Sequence, residues 1–85
     1  MPDVFEFPCE FPIKVMGRAS ADFRRLTRAI VERHAGVLGE SQVAERLSKD
    51  ENFISLTFTI RASSREQLDA LYRELTASEG VLIAL

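Results

Sequence analysis

The residues with most to offer chemically lie between positions 17 and 34. Gly17-Arg18-Ala19-Ser20 joins a strand-like segment to a helix-like one. Backbone N–H groups at a helix N-terminus attract anions, and an arginine beside them adds a charge-assisted donor. Gly17, Arg18 and Ser20 are therefore the candidate ligand-binding residues. A tight glycine turn followed by an ordinary N-cap accounts for the same three residues without any ligand. Arg24, Arg25 and Arg28 follow, offset locally only by Asp22. Cations near a helix N-terminus oppose the macrodipole, at about 0.3–1 kcal/mol each when exposed. An acidic partner would explain that placement, although a solvated face of long basic side chains is the commoner explanation. His34 stands where a helix C-terminus favours a cation, and no Ser, Cys or Asp arrangement makes it a general base. The single Cys9 lies between Pro8 and Glu10, and an adjacent carboxylate does not favour the thiolate.

The scaffold for these groups is small. Eighty-five residues make one domain with one two-layer core, burying roughly 60% of the unfolded surface. Hydrophobic residues are 46% and charged ones 28% of the chain, which argues against disorder. Eleven Lys and Arg against 13 Asp and Glu leave a net charge of -2, the wrong sign for a dedicated nucleic-acid binder. The longest apolar run, Val81–Leu85, is far short of the roughly 20 residues that span a bilayer. No cysteine pair or Cys/His cluster has metal spacing, and neither a metal nor a cofactor is called for. A cytoplasmic protein is expected, with no nucleic-acid or membrane partner.

Pro2 and Pro8 keep residues 1–10 extended, an N-terminal arm whose Phe5 and Phe7 are expected to dock on the body. The domain proper runs from 11 to 85. Phe11, Ile13 and Val15 alternate with Pro12, Lys14 and Met16 as a half-buried strand ended by Gly17. Ser20 caps a helix whose apolar stripe is Phe23, Leu26 and Ile30, closed by Gly36. Gln42–Ser48 is a second strand, and Lys49–Asn52 turns into a third. There Ile54, Leu56, Phe58 and Ile60 alternate with Ser55, Thr57, Thr59 and Arg61. Ser63 with Glu66 fits a capping box for a helix whose stripe is Leu68, Leu71, Tyr72 and Leu75. Val81–Leu85 is the last strand.

The order β-α-β-β-α-β, with right-handed crossovers, predicts an α+β ferredoxin-like sandwich: a four-stranded antiparallel sheet with both helices on one face. Ser55, Thr57 and Thr59 would then line the open face, with Lys14 and Met16 beside them. Together with Arg24, Arg25 and Arg28, the residues Lys14, Ser55, Thr57 and Thr59 form the candidate partner surface. The first and last of the later strands are expected at the sheet edges, which leaves room for a homo-oligomer.

EFP at Glu6–Pro8, FPIKVMG at Phe11–Gly17, RHAG at Arg33–Gly36 and LYREL at Leu71–Leu75 resemble the YbeD-like family of small bacterial proteins of uncharacterised function. The likeness covers nearly the whole chain. It departs at Val37–Gln42, where the family is usually more polar and proline-containing. Members are similar in fold to ACT regulatory domains, so the resemblance implies an ACT-like build, a bacterial cytosolic setting and no catalytic residues to transfer. The expected role is a non-enzymatic regulatory or adaptor module that binds a small-molecule effector or a protein partner.

Three other users of the topology fit less well. An RNA-recognition domain needs stacking aromatics on the open face, where Lys14 and Ser55 stand and only Phe53 remains near the edge. A heavy-metal-binding domain needs cysteines in the Gly17–Ser20 loop. An acylphosphatase-like enzyme, the alternative reading, needs a loop arginine, which Arg18 or Arg24 imitates, and an asparagine on the third strand. Asn52 falls just before that strand, and the accompanying glycine pattern is missing.

Overall fold

A computed structural model describes residues 6–85. The elements follow in the order β1 (Cys9–Arg18), α1 (Ala21–Ala35), a short 3-10 turn at Glu40–Gln42, β2 (Val43–Leu47), β3 (Phe53–Ala62), α2 (Arg65–Ala77) and β4 (Val81–Ala84). All four strands form one antiparallel sheet in the order β2-β3-β1-β4. This is the ferredoxin-like arrangement expected, with β2 and β4 at the edges.

Alternation decides which face is dry. Ile13 and Val15 of β1 and Ile54, Leu56, Phe58 and Ile60 of β3 are buried, and they share one core with Phe23, Ile30 and Val31 of α1 and Leu68, Leu71 and Leu75 of α2. Each such side chain contributes about 1.5–3 kcal/mol when fully buried. Because both helices supply that single core, both lie on the same side of the sheet and the other side stays open.

Local chemistry sets the element ends. The Ser20 hydroxyl oxygen accepts the Phe23 N–H at 3.0 Å and starts α1. Gly36, at φ 85°, ends it while donating its N–H to the Glu32 carbonyl; a side chain there would meet the left-handed penalty. The β2–β3 turn is closed by Ser48 and Asp50. Asp50 accepts from the Ser48 hydroxyl at 2.7 Å and from the Asn52 N–H at 3.1 Å.

Four expectations shift. Strand β1 begins at Cys9, inside the segment read as an arm, because β3 extends to Ala62 and offers partners to Cys9 and Glu10. Phe7 does pack against the core, and Phe5 lies outside the described residues. The cap of α2 is Ser64, not Ser63. Ser64 accepts the Gln67 N–H at 3.1 Å, and Gln67 reaches back to the Ser63 N–H, so the capping motif sits one residue later with Gln67 in the role given to Glu66. Leu26, placed in the apolar stripe of α1, is 43% exposed, and Thr27 takes the buried position with its hydroxyl donated to the Phe23 carbonyl. In the divergent loop, Leu38 is buried in the core, a contact no periodicity announced.

Candidate functional site

The Gly17–Ser20 loop forms one wall of a groove of about 490 Å3. Phe23 and Leu26 come from the first turns of α1, Gly80 and Leu82 from the entry to β4, and Arg18, Ser20, Asp22 and Glu79 complete the lining. The groove exists because β4 is irregular. Met16 pairs with Ile83 but Gly17 pairs with Val81, so Leu82 is an extra residue in the ladder. A bulge of this kind re-aims a side chain, and Leu82, 60% exposed, lines the groove instead of joining the core.

Gly17 itself is buried and does not line the groove. A Cβ there would stand 2.3 Å from Cε1 of Phe23 and 2.5 Å from the Gly80 carbonyl oxygen. The glycine is required for α1 and the α2–β4 turn to close over β1, which is a packing reason and not a ligand reason. At Gly80 a Cβ would stand 3.6 Å from Phe23 and 3.9 Å from Leu26, ordinary contact distances, so packing does not require a glycine there.

Three amides of the loop and the first turn are already engaged. Ala19 donates its N–H to the Asn52 carbonyl at 2.9 Å, Phe23 to the Ser20 hydroxyl and Arg24 to the Ser20 carbonyl. The Arg18 guanidinium stands 5.6 Å from the centre of the Phe53 ring, a cation–π distance. Two carboxylates, Asp22 and Glu79, share the lining with that one cation. The loop is a mixed-charge rim over an apolar floor rather than a phosphate cradle.

The candidate partner surface divides in two. Lys14, Ser55, Thr57 and Thr59 stand together on the open face of the sheet, where Lys14 pairs with Thr57 and Met16 with Ser55. Arg24, Arg25 and Arg28 are on α1, across the sheet, and each has an internal partner. Arg24 makes two 3.1 Å bonds to the Glu45 carboxylate. Arg25 pairs with Asp22. Arg28 bonds Glu32 at 3.3 Å and the Leu38 carbonyl at 2.6 Å. The clustering that hinted at an acidic partner is answered within the chain: Arg25 and Arg28 by carboxylates three and four residues away on α1 itself, and Arg24 by Glu45 of β2, too far along the sequence for local pattern to expose.

The far end of α1 carries His34. Its Nε2 lies 2.7 Å from Glu74 of α2, which also pairs with Arg33, and the Gln67 side-chain amide donates to the His34 carbonyl at 2.8 Å. These groups join the two helices. Glu32 is held below the usual carboxylate range, first by the Leu38 N–H and then by Arg28, against the opposing effect of burial. Among the described residues no three His, Cys, Asp or Glu side chains form a metal-ligand group, and no helix is long and apolar enough to cross a membrane. Sequence reasoning missed Leu82 and Glu79. The signal available was the Gly80 break before an apolar strand, which marks a turn but not the bulge that follows it.

Comparison with known proteins is consistent across the chain. A family model described as "Protein of unknown function (DUF493)" matches residues 2–85. A UPF0250 protein of Paraburkholderia phytofirmans is 43% identical over 82 residues, covering 96% of this chain and 92% of that one. One from Bordetella parapertussis is likewise 43% identical, covering 96% and 90%. One from Chromobacterium violaceum is 41% identical over 83 residues, covering 98% and 93%.

Proposed function

The chain belongs to the DUF493 family, the small bacterial proteins that include the UPF0250 and YbeD-like chains, and from that premise we propose that it is a non-enzymatic regulatory module. It holds a small amphiphilic effector in the groove beside Ser20. The observation that carries this reading is the groove: about 490 Å3, floored by Phe23, Leu26 and Leu82, with Arg18 and Glu79 offering opposite charges in the same lining. That volume and that mixture are those of a small-molecule site. A ligand with an apolar body and a head bearing both charges fits it, and an apolar amino acid is the simplest example. The likeness to ACT domains, which often hold effectors near this loop, supports the same reading.

The acylphosphatase-like alternative has no comparable support. Asn52 lies in the hairpin turn, and its carbonyl already occupies the Ala19 N–H. His34 and Glu74 are engaged with each other at the opposite end of α1.

The test is a thermal-shift screen against apolar, polar and charged amino acids and short-chain carboxylic acids. A ligand at about 100 times its Kd adds roughly 2.7 kcal/mol, and each kcal/mol moves the midpoint of a domain this size by roughly 4–8 °C. A selective shift for an apolar amino acid, lost in Leu82→Asp while the unliganded midpoint is kept, is expected. A flat screen, or a shift indifferent to Leu82→Asp, overturns the reading.

A further inference from the structure

The open face of the sheet carries a charge balance opposite to that of the chain as a whole. Strand register places Glu10, Pro12, Lys14, Met16 and Arg18 of β1 on that face, opposite Arg61, Thr59, Thr57, Ser55 and Phe53 of β3. Strand β2 adds Ala44 beside Thr57 and Arg46 beside Ser55. Strand β4 adds Ile83 beside Met16, and Leu85 exchanges both backbone hydrogen bonds with Lys14. These rows hold four of the 11 basic residues, Lys14, Arg18, Arg46 and Arg61, and one of the 13 acidic ones, Glu10. Seven basic and twelve acidic residues remain for the rest of the chain.

Pairing separates the two regions further. Arg24, Arg25, Arg28 and Arg33 of α1 all make ion pairs. Among the described residues, none of the four cations on the open face does. The face also has an anchor point. Met16, Arg46, Leu47, Phe53 and Ser55 line a shallow hollow of about 170 Å3 near the β2–β3 turn, and Ile83 extends the apolar surface along the Met16 row toward the other edge. From Arg46 to Ile83 that row crosses three strand spacings, about 14 Å, the reach of four or five extended residues.

We propose that the open face of the sheet is a docking surface for an acidic polypeptide segment that seats one apolar side chain in the hollow between Met16 and Phe53 and places carboxylates against Arg46 and Lys14. Charge complementarity selects the sign of the partner, and the hollow gives it register. A single-stranded nucleic acid shares the sign but not the fit. Bases need free aromatic faces on which to stack, whereas the face offers one exposed aromatic, Phe53, with the Arg18 guanidinium against its ring, and hydroxyls fill the central rows. This surface meets the effector groove only at Arg18, and its hollow and the residues tested, Arg46 and Lys14, lie outside that groove, so the two proposals stand or fall separately.

The experiment selects from a displayed library of short random peptides on the immobilised full chain. Arg46→Glu, and Lys14→Glu combined with Arg46→Glu, are run in parallel. Enrichment of peptides in which Asp or Glu flank one Leu, Ile, Met or Phe is expected. Their affinity should fall at least about tenfold in the double variant and weaken with added salt, while the thermal midpoint is kept. Arg24→Glu with Arg25→Glu, on the far side, should leave binding unchanged. Enriched peptides without acidic character, capture by the double variant as strong as by the parent, or tighter binding of an oligothymidylate than of the selected peptides would each overturn the proposal.

Discussion

The two ends of α1 are finished in opposite ways. At its C-terminal end Arg33 and His34 meet Glu74, Gln67 binds the His34 carbonyl, and Glu32 takes the Leu38 N–H. Leu38 is buried beside them, and of the apolar side chains here Val37 alone stands in solvent, at 90% exposure, so polar needs are met and no apolar groove is left. At the N-terminal end the backbone is equally well served, by the Ser20 hydroxyl and the Asn52 carbonyl, but the apolar surface is not. Leu26 and Leu82 remain largely exposed around Phe23. Backbone polar groups must find partners wherever they lie, whereas apolar area can be left uncovered at a tolerable cost. An end that satisfies the first condition and neglects the second keeps its fold while empty and has surface in reserve for a ligand.

The sharpest way to break the open end is Gly17→Val. The added Cβ has no room against Phe23 and the Gly80 carbonyl, and backbone cannot step aside as a flexible side chain would. Overpacking of this kind costs about 3 kcal/mol or more, a fall of roughly 12–24 °C in Tm. Urea unfolding that placed the variant within about 1 kcal/mol of the parent would mean that α1 closes over β1 less tightly than described. Ser20→Ala ranks next, at about 1 kcal/mol for a lost N-cap. At the closed end, Glu74→Ala removes two pairs whose members are partly exposed, and such pairs contribute under about 1 kcal/mol each. Unfolding curves should therefore place Ser20→Ala at or below Glu74→Ala in stability. The reverse order, with Glu74→Ala clearly worse, would make the helix junction the main fastening of α1.

What the residues announced in advance was the frame. The alternation through Ile54–Ile60, the Ser20 cap and the Gly36 stop are local patterns with one structural solution each, and they stand where expected. The groove was legible only in part. The Gly17–Ser20 loop marked its position, because a strand-to-helix turn in this topology leaves its end near the sheet rim. Its character was hidden, because that depends on Leu82, placed by a bulge in a ladder formed with residues more than sixty positions away. The internal partner of Arg24 was hidden for the same reason. Arg24 is answered by Glu45, and a pair 21 residues apart on different elements has no sequence spacing to give it away. The cationic open face needed the register of all four strands, since Arg46 and Lys14 become neighbours only through Ser55, Thr57 and Met16 between them.

The smallest expected effect concerns pH and sharpens the same comparison at the closed end. The carboxyl of Glu32 is held below its ordinary value of 4.5 by the Leu38 N–H first and by Arg28 after it. A group whose folded pKa is depressed binds protons more readily when unfolded, so stability falls as pH drops. The contribution of Glu32 is complete above that ordinary value, fades as pH falls toward the lower folded value, and is gone below both. Glu32→Gln keeps an oxygen for the Leu38 N–H and cannot titrate. The parent should thus be the more stable at neutral pH, and the gap between the two should close on acidification. Asp50, whose carboxyl is lowered chiefly by the Ser48 hydroxyl from an ordinary 3.8, leaves both proteins a residual slope of the same sign at lower pH. Denaturant midpoints from neutrality down to about pH 3 measure the gap directly. A gap that stayed constant over that range would show that Glu32 titrates as a free carboxylate and that the join between α1 and Leu38 holds without its charge.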